Sequence, residues 1–394
     1  MKNTITKTKT KNKLIYIIKG AVAVLHIPLL LLLYIIEPFV KFRFGYISTD
    51  RIGHFALDLG YEIAKNKNKN KKEINLYFLQ DKTSNSQLKA IAKRELNVSQ
   101  WYKYLVYAYT LLGLEKKVNI PYRHKNGSRD KTGIMLNSHY DISLLPEENK
   151  ESELYMKKYG WTQGEKFICI NVRDSAFFNE SQVSRHTYRN SNIEDFEVVV
   201  NYLLNLGYWV VRIGKMVEKP INIKDNKLID YGIDQNRSDL LDVWFCKNCE
   251  FLVSTGTGVD SVAQMFKKEI VFVNYIPFSH IISWVNNISA PKRLFWKDGR
   301  QLTLTEHLDN VWPSTFKEKG INIVELTPGE IKSVVQEMVS RINGTPLTNQ
   351  QIQDQKIFWN ILESHKIYRM YHGVRDPMAT FATSYLDNNL DFLK

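Results

Sequence analysis

The chain has 394 residues, 44% hydrophobic and 24% charged, which is enough for two globular domains with appendages. Its formal charge of +13 is uneven: residues 1–72 hold 14 Lys+Arg against 4 Asp+Glu, and the rest holds 40 against 37. A body so close to neutrality excludes the basic face of a nucleic-acid-binding protein, whereas the basic N-terminus suits an anionic membrane surface.

Residues 1–13, "MKNTITKTKTKNK", are polar and carry five lysines. Leu14–Val40 is apolar but interrupted by Lys19, His26, Pro28 and Glu37. Its uninterrupted part, "IPLLLLLYII", is shorter than the roughly 20 residues of a spanning helix. The expectation for residues 1–41 is a basic arm and a membrane anchor that enters the cytoplasmic leaflet, kinked at Pro28. The signal-peptide reading is weaker, since no small-residue cleavage site follows.

The next elements alternate. "KFRFGYIS" reads as a strand, "TDRIGHF" as a turn, and "ALDLGYEIAK" as a helix. "NKNKNKK" is a polar loop, "INLYFLQ" a strand, "SQLKAIAKREL" a helix, and "WYKYLVYAYTLLGLEKK" an apolar, aromatic helix. The second half repeats the pattern. "KFICINV" is a strand, and a helix over "NIEDFEVVVNYLLNLG" is expected to start at Ser191 and close at Gly207. Strands follow at "YWVVRIG", "KLIDYG", "EFLVS" and "EIVFVNY", with helices at "RSDLLDVWFCKN" and "GVDSVAQMFKK" between them. Thr327, Pro328 and Glu330 open a late helix, and the tail, including "ATFATSYLDNNLDFL", reads as one or two more. Two such runs imply an α/β protein with two Rossmann-like, doubly wound domains: 42–150 on the acceptor side and 151–345 on the nucleotide side. Residues 346–394 are expected to form helices that pack back across both.

In this architecture ligands bind beyond the carboxyl ends of strands. There lies "STGTGVDS", with Ser254, Thr255, Gly256, Thr257, Gly258 and Ser261 at a strand-to-helix turn, where unpaired amides of the helix start, glycines and hydroxyls suit a phosphate; the alternative is a plain turn capped by Asp260 or Thr257. It lacks the Gly-Lys-Ser/Thr of a Walker loop. It also lacks the third glycine and the later acidic residue of a dinucleotide fingerprint, which disfavours a nicotinamide enzyme. Arg212, Gly214 and Lys215 end another strand and Arg173 ends a third. The loop "HTYRN" offers His186, Tyr188 and Arg189. Arginines converging on such a turn suit a diphosphate. In the first domain Arg51, Gly53 and His54 lie at the first strand-to-helix turn, where an imidazole is suited to take a proton from a hydroxyl. No D-x-D appears in the body, so charge neutralisation by side chains rather than by a metal is expected. Cys246 and Cys249 form a C-x-x-C without the partners of a zinc site, and with Cys169 they read as reduced thiols.

"FGYISTDRIGHFAL", "INVRDSAF", "HTYRNSNIEDF", "GYWVVRIGK" and "SDLLDVWFCKNCEFLVSTGTGVDSVAQMFKKEIVFVNYIP" together resemble a family of bacterial glycosyltransferases found with surface-polysaccharide genes. The likeness runs from about Phe42 to the C-terminus, and is more distant to fucosyltransferase-type and heptosyltransferase-type enzymes of the GT-B fold. In fucosyltransferase-like proteins a strand-end Arg and a Ser/Thr-rich loop contact the donor diphosphate, which Arg173 and "STGTG" match. Asn171 stands where those proteins often carry a His. The resemblance implies a nucleotide-sugar donor; with the missing D-x-D, the expectation is a metal-independent transferase, with no cofactor, that moves a sugar from that donor to a glycan or lipid-linked acceptor. The expected place is the cytoplasmic face of the bacterial inner membrane, with no nucleic-acid partner. The alternative is a non-catalytic nucleotide- or polysaccharide-binding component of a surface-glycan assembly complex.

Overall fold

A computed structural model describes residues 20, 24–67, 72–114, 128–177 and 187–394. The chain divides into two units, one of Met1–Ser128 with Ser138–Tyr140, the other of Arg129–Asn137 with Asp141–Lys394.

The first unit holds three parallel strands in the order β1 (Lys41–Ile47), β2 (Glu73–Leu79), β3 (Asn97–Val98). Successive side chains of a strand point to opposite faces, so both faces of this sheet must be covered. Phe44 and Leu76 face a cluster formed with Leu30, Leu105, Ala108 and Tyr109 from helices Ile27–Ile36 and Tyr102–Leu111. Tyr77, on the other face, donates to the buried Glu62 carboxylate of helix Ile52–Lys67 at 2.6 Å. Helix Ser86–Glu95 packs beside that helix and is capped by Asn85, which accepts from the Leu88 amide at 2.9 Å. The expected doubly wound sheet is therefore three strands without a reversal of order among the described residues. Helix Ile52–Lys67 also begins earlier than expected, so Gly53 and His54 lie in its first turn rather than in a loop before it.

Of the expected anchor, residues 14–19 and 21–23 lie outside the described residues. Pro28 sits in the first turn of helix Ile27–Ile36, and the helical path breaks just before it, at His26. Among the described residues no helix is long and apolar enough to cross a membrane.

The second unit is built on seven parallel strands: β4 (Phe167–Asn171), β5 (Trp209–Arg212), β6 (Leu228–Ile229), β7 (Phe251–Ser254), β8 (Glu269–Phe272), β9 (Asn287–Ser289) and β12 (Ala379–Phe381). Their spatial order is β12-β9-β8-β7-β4-β5-β6. An antiparallel ribbon of β10 (Arg293–Trp296) and β11 (Ile321–Val324) stands apart. β4 and β7 are buried at every position, as expected of a parallel sheet covered on both faces. Ile168, Ile170, Val210, Val253 and Val271 join one core with helices Glu197–Asn205, Pro328–Ile342 and Asn349–Ser364. On the opposite face Phe167 stacks on Trp244 of helix Asp239–Asn248, with ring centroids 5.5 Å apart.

Two sequence expectations change here. Ser191 does not cap the helix that follows; a short 3-10 segment, Ile193–Phe196, leads into it, and the Ser191 hydroxyl receives the Asn274 amide at 3.2 Å. "ATF" of the tail is edge strand β12 rather than helix, because its backbone pairs with β9. Thr327 and Glu330 do form the reciprocal cap expected of them. The three cysteines are buried, free thiols.

Candidate functional site

In the second unit the chain runs outward from β4 through β5 to β6, then returns to lay β7 against the other side of β4. The strand order therefore reverses between β4 and β7. Loops leaving the carboxyl ends of two such strands diverge, and the crevice between them is where open α/β sheets bind ligands. The loop after β4 carries Arg173 and Asp174, and the loop after β7 is Thr255–Val259.

The two loops are stitched together. The Thr255 amide donates to the Asn171 carbonyl at 3.3 Å, the Arg173 amide to Thr255 Oγ1 at 2.9 Å, and Asn171 Nδ2 to Thr257 Oγ1 at 2.5 Å. Asp260, fully enclosed, is the organising anion. It accepts from Ser254 Oγ and the Thr257 amide, both at 2.5 Å, and from Thr257 Oγ1 at 3.3 Å. Burial pushes its carboxyl up to about 6, against the opposing pull of those donors and of Arg189. The Gly256 amide donates to Ser254 Oγ at 3.1 Å and the Val259 amide to Thr257 Oγ1 at 3.2 Å. Gly256 is required twice over: its φ is +82°, and a Cβ there would lie 2.9 Å from the Tyr275 ring.

These bonds correct the expected amide cradle. The N–H groups of Gly256, Thr257 and Val259 are spent inside the loop, and the helix that follows, Asp260–Met265, is only six residues long. Ser254, Thr255, Gly256 and Thr257 shape the turn. Gly258 follows them half-buried, and Ser261 is buried in the short helix.

Cationic side chains gather around this turn. The Arg189 guanidinium donates to the Gly256 carbonyl. Burial, and next the charge of Arg189, lower the Arg173 guanidinium to about 10, so the two guanidiniums sense each other. Tyr188 packs on the apolar cluster of Ile276, Leu294 and Leu302, which holds its loop against the body. His186 lies outside the described residues.

Sequence reading passed over two neighbours. Arg129 donates to the carbonyls of Tyr371, His280 and Ile281 at 2.6, 3.1 and 2.7 Å, and burial lowers it to about 10. His280 is held neutral, at about 3, by burial and then by the charges of Arg129 and Arg189. Its Nε2 is buried without a hydrogen-bond partner among the described residues. Neither belongs to a strand-end motif, so only the fold brings them near Tyr275 and Arg189.

Arg212 is a second correction. Its side chain is 1% exposed and donates to the Lys219 carbonyl, with Asp230 at 3.4 Å and Asp174 at 3.8 Å. Asp174 also accepts from the Glu218 amide at 2.7 Å, and Asp230 from the Ile221 amide at 2.8 Å. The guanidinium ties the loop after β5 to the sheet and is enclosed by carboxylates, which is no place for a diphosphate. Gly214 turns that loop with φ +149°, and Lys215 is exposed.

In the first unit Arg51 is exposed and its carbonyl accepts from the Phe55 amide at 2.9 Å, while Gly53 and His54 are half-buried. His54 Nδ1 lies 2.9 Å from Ser128 Oγ, and Ser128 Oγ donates to Asp58 Oδ1 at 2.7 Å. A hydroxyl that gives its only proton to Asp58 must accept from the imidazole. In the neutral ring Nδ1 therefore carries the proton and Nε2 the lone pair.

No family model and no curated protein sequence matches this chain. Solved structures are similar to it at low identity. One is a glycosyl transferase of family 9 from Veillonella parvula: 12% identical, TM-score 0.41, over 64% of this chain and 87% of that one. Another is the ADP-heptose LPS heptosyltransferase II of E. coli: 9% identical, TM-score 0.39, over 76% and 99%. A third is TibC, an iron-containing dodecameric glycosyltransferase of enterotoxigenic E. coli: 12% identical, TM-score 0.40, over 77% and 78%.

Proposed function

We propose that the crevice between β4 and β7 binds the diphosphate of a nucleotide-sugar donor, and that the chain is a glycosyltransferase acting on a surface-glycan acceptor. One observation carries the reading: at the point where strand order reverses, the guanidiniums of Arg173 and Arg189 meet at a turn whose one carboxylate, Asp260, is buried. Two guanidiniums side by side at that turn suit the two negative charges of a pyrophosphate diester. Arg suits such a partner because its planar fork pairs with phosphate oxygens. The reaction class comes from the sequence resemblance. In it the acceptor oxygen bonds to the anomeric carbon, and the bond from that carbon to the diphosphate breaks. The electron pair leaves on the diphosphate, where the guanidiniums stabilise it. The acceptor proton is assigned to His54, whose protonated Nδ1 leaves Nε2 to receive it. Charge stabilisation by side chains leaves no required role for a metal.

Calorimetry against uridine, adenosine and guanosine diphosphates tests the donor site. At least one should bind, and Arg173→Ala or Arg189→Ala should each weaken it by about 2 kcal/mol, roughly 30-fold. A full-length protein that binds none of the panel overturns the donor site. Binding without transfer or hydrolysis on the matching nucleotide sugars would assign the chain to the non-catalytic alternative.

A further inference from the structure

The first unit carries a surface that the donor site does not explain. Helix Ile27–Ile36 buries Leu30 against Phe44, Leu105 and Tyr109. Its outer side is apolar as well: Leu31 is 57% exposed, Leu32 51% and Ile35 69%, with Leu25 and Phe39 at 77% and 74% just beyond its ends. Within the helix Pro28, Leu32 and Ile35 recur at helical spacing, so they form one ridge without a charged side chain on it. A helix apolar on every side is normally enclosed, and among the described residues this one is enclosed on one side only. Trp101 and Tyr104 flank the start of the ridge, with ring centroids 5.1 and 5.9 Å from His26. Trp101 is 43% exposed, and Leu111 and Leu112 continue the apolar surface along the neighbouring helix.

We propose that this ridge docks on the surface of an anionic lipid bilayer, entering one leaflet without crossing it. Ten residues of helix reach about 15 Å, half of a hydrocarbon core of about 30 Å. Charge selects the occupant. Residues 1–72 carry 14 Lys+Arg against 4 Asp+Glu, and five of those lysines fall in the thirteen residues at the start of the chain. A second copy of this chain would bring the same positive charge, whereas an anionic headgroup layer complements it. Leucines without polar punctuation give a protein partner no hydrogen bonds to fix its register, and a fluid acyl layer needs none. The exposed Trp101 lies where amphipathic rings settle at the headgroup level.

Co-flotation of the full-length protein with vesicles tests this independently of any nucleotide. The protein should float with phosphatidylcholine vesicles containing about one quarter phosphatidylglycerol, and less with phosphatidylcholine alone. Salt at ~0.5 M should weaken the binding in part, since only its charged component is screened. The double variant Leu32→Glu, Ile35→Glu alters exposed positions only and should keep the wild-type melting temperature. It should lose at least about tenfold in binding to the anionic vesicles. Wild-type protein that stays with the lipid-free fraction, or a double variant that floats equally well, overturns the proposal. So does a wild-type dimer, seen by light scattering, that the double variant converts to monomer, because the ridge then belongs to a second copy.

Discussion

Asp260 offers the sharpest test of how the turn after β7 is held. Its carboxyl rises from 3.8 to about 6, chiefly because burial penalises the charged form. The folded chain therefore holds this proton more tightly than the unfolded chain, and stability from this group is greatest below 3.8 and falls as pH rises through about 6. A shift of about two units at about 1.4 kcal/mol each gives a loss of about 3 kcal/mol across that window. Asp260→Asn is nearly isosteric and keeps an acceptor for the Thr257 amide, but it does not titrate. Other carboxyls titrate alike in both proteins and cancel in the difference. Melting temperatures of wild type and variant, followed from about pH 4.5 to about pH 7.5, span about 2 kcal/mol of that loss and should diverge in the variant's favour by about 4–8 °C, taking 2–4 °C per kcal/mol for a unit of this size. A gap that stays constant over the window would refute the claim that Asp260 is buried and only partly compensated. A gap that moves the other way would make it a stabilised carboxylate, held by Arg189 more strongly than burial opposes it.

Other perturbations separate the remaining roles. Arg212→Ala leaves Asp230 and Asp174 facing a void and should cost about 3 kcal/mol in urea unfolding, while the nucleotide affinity of the folded protein changes less than about twofold. Gly256→Ala places a methyl group against the Tyr275 ring at a left-handed φ and should lower stability by more than about 1 kcal/mol, with a parallel loss of nucleotide binding by calorimetry. In ¹⁵N spectra His54 should show a protonated Nδ1, and Ser128→Ala should shift the ring toward its Nε2–H form. An imidazole unmoved by that change would break the proposed His54–Ser128–Asp58 chain.

The order of strands and helices in the second unit was legible because fully buried parallel strands leave continuous apolar runs, such as "FICIN" and "FLVS". Among the strands of its large sheet, β9 and β12 escaped reading; they are three residues long and belong to the sheet only through backbone pairing, which leaves almost no pattern in side chains. The switch point was half legible. Sequence places Arg173 and "STGTG" at strand ends, but that β4 and β7 are neighbours follows from topology alone.

What the sequence determined by itself is local: alternation, caps such as Thr327 with Glu330, the glycine a left-handed turn needs, and the concentration of positive charge at one end. What only the tertiary structure decided is which polar groups are already spent. Arg173 and Arg212 are alike in sequence, each an arginine at or just beyond a strand end, yet Arg212 is enclosed by two carboxylates from distant loops while Arg173 sits beside another guanidinium. The amides of Gly256 and Thr257 looked available to a phosphate until Ser254 Oγ and Asp260 were seen to occupy them. A hydrogen-bond donor's partner is set by three-dimensional proximity, which residue spacing along the chain does not encode beyond a turn or two.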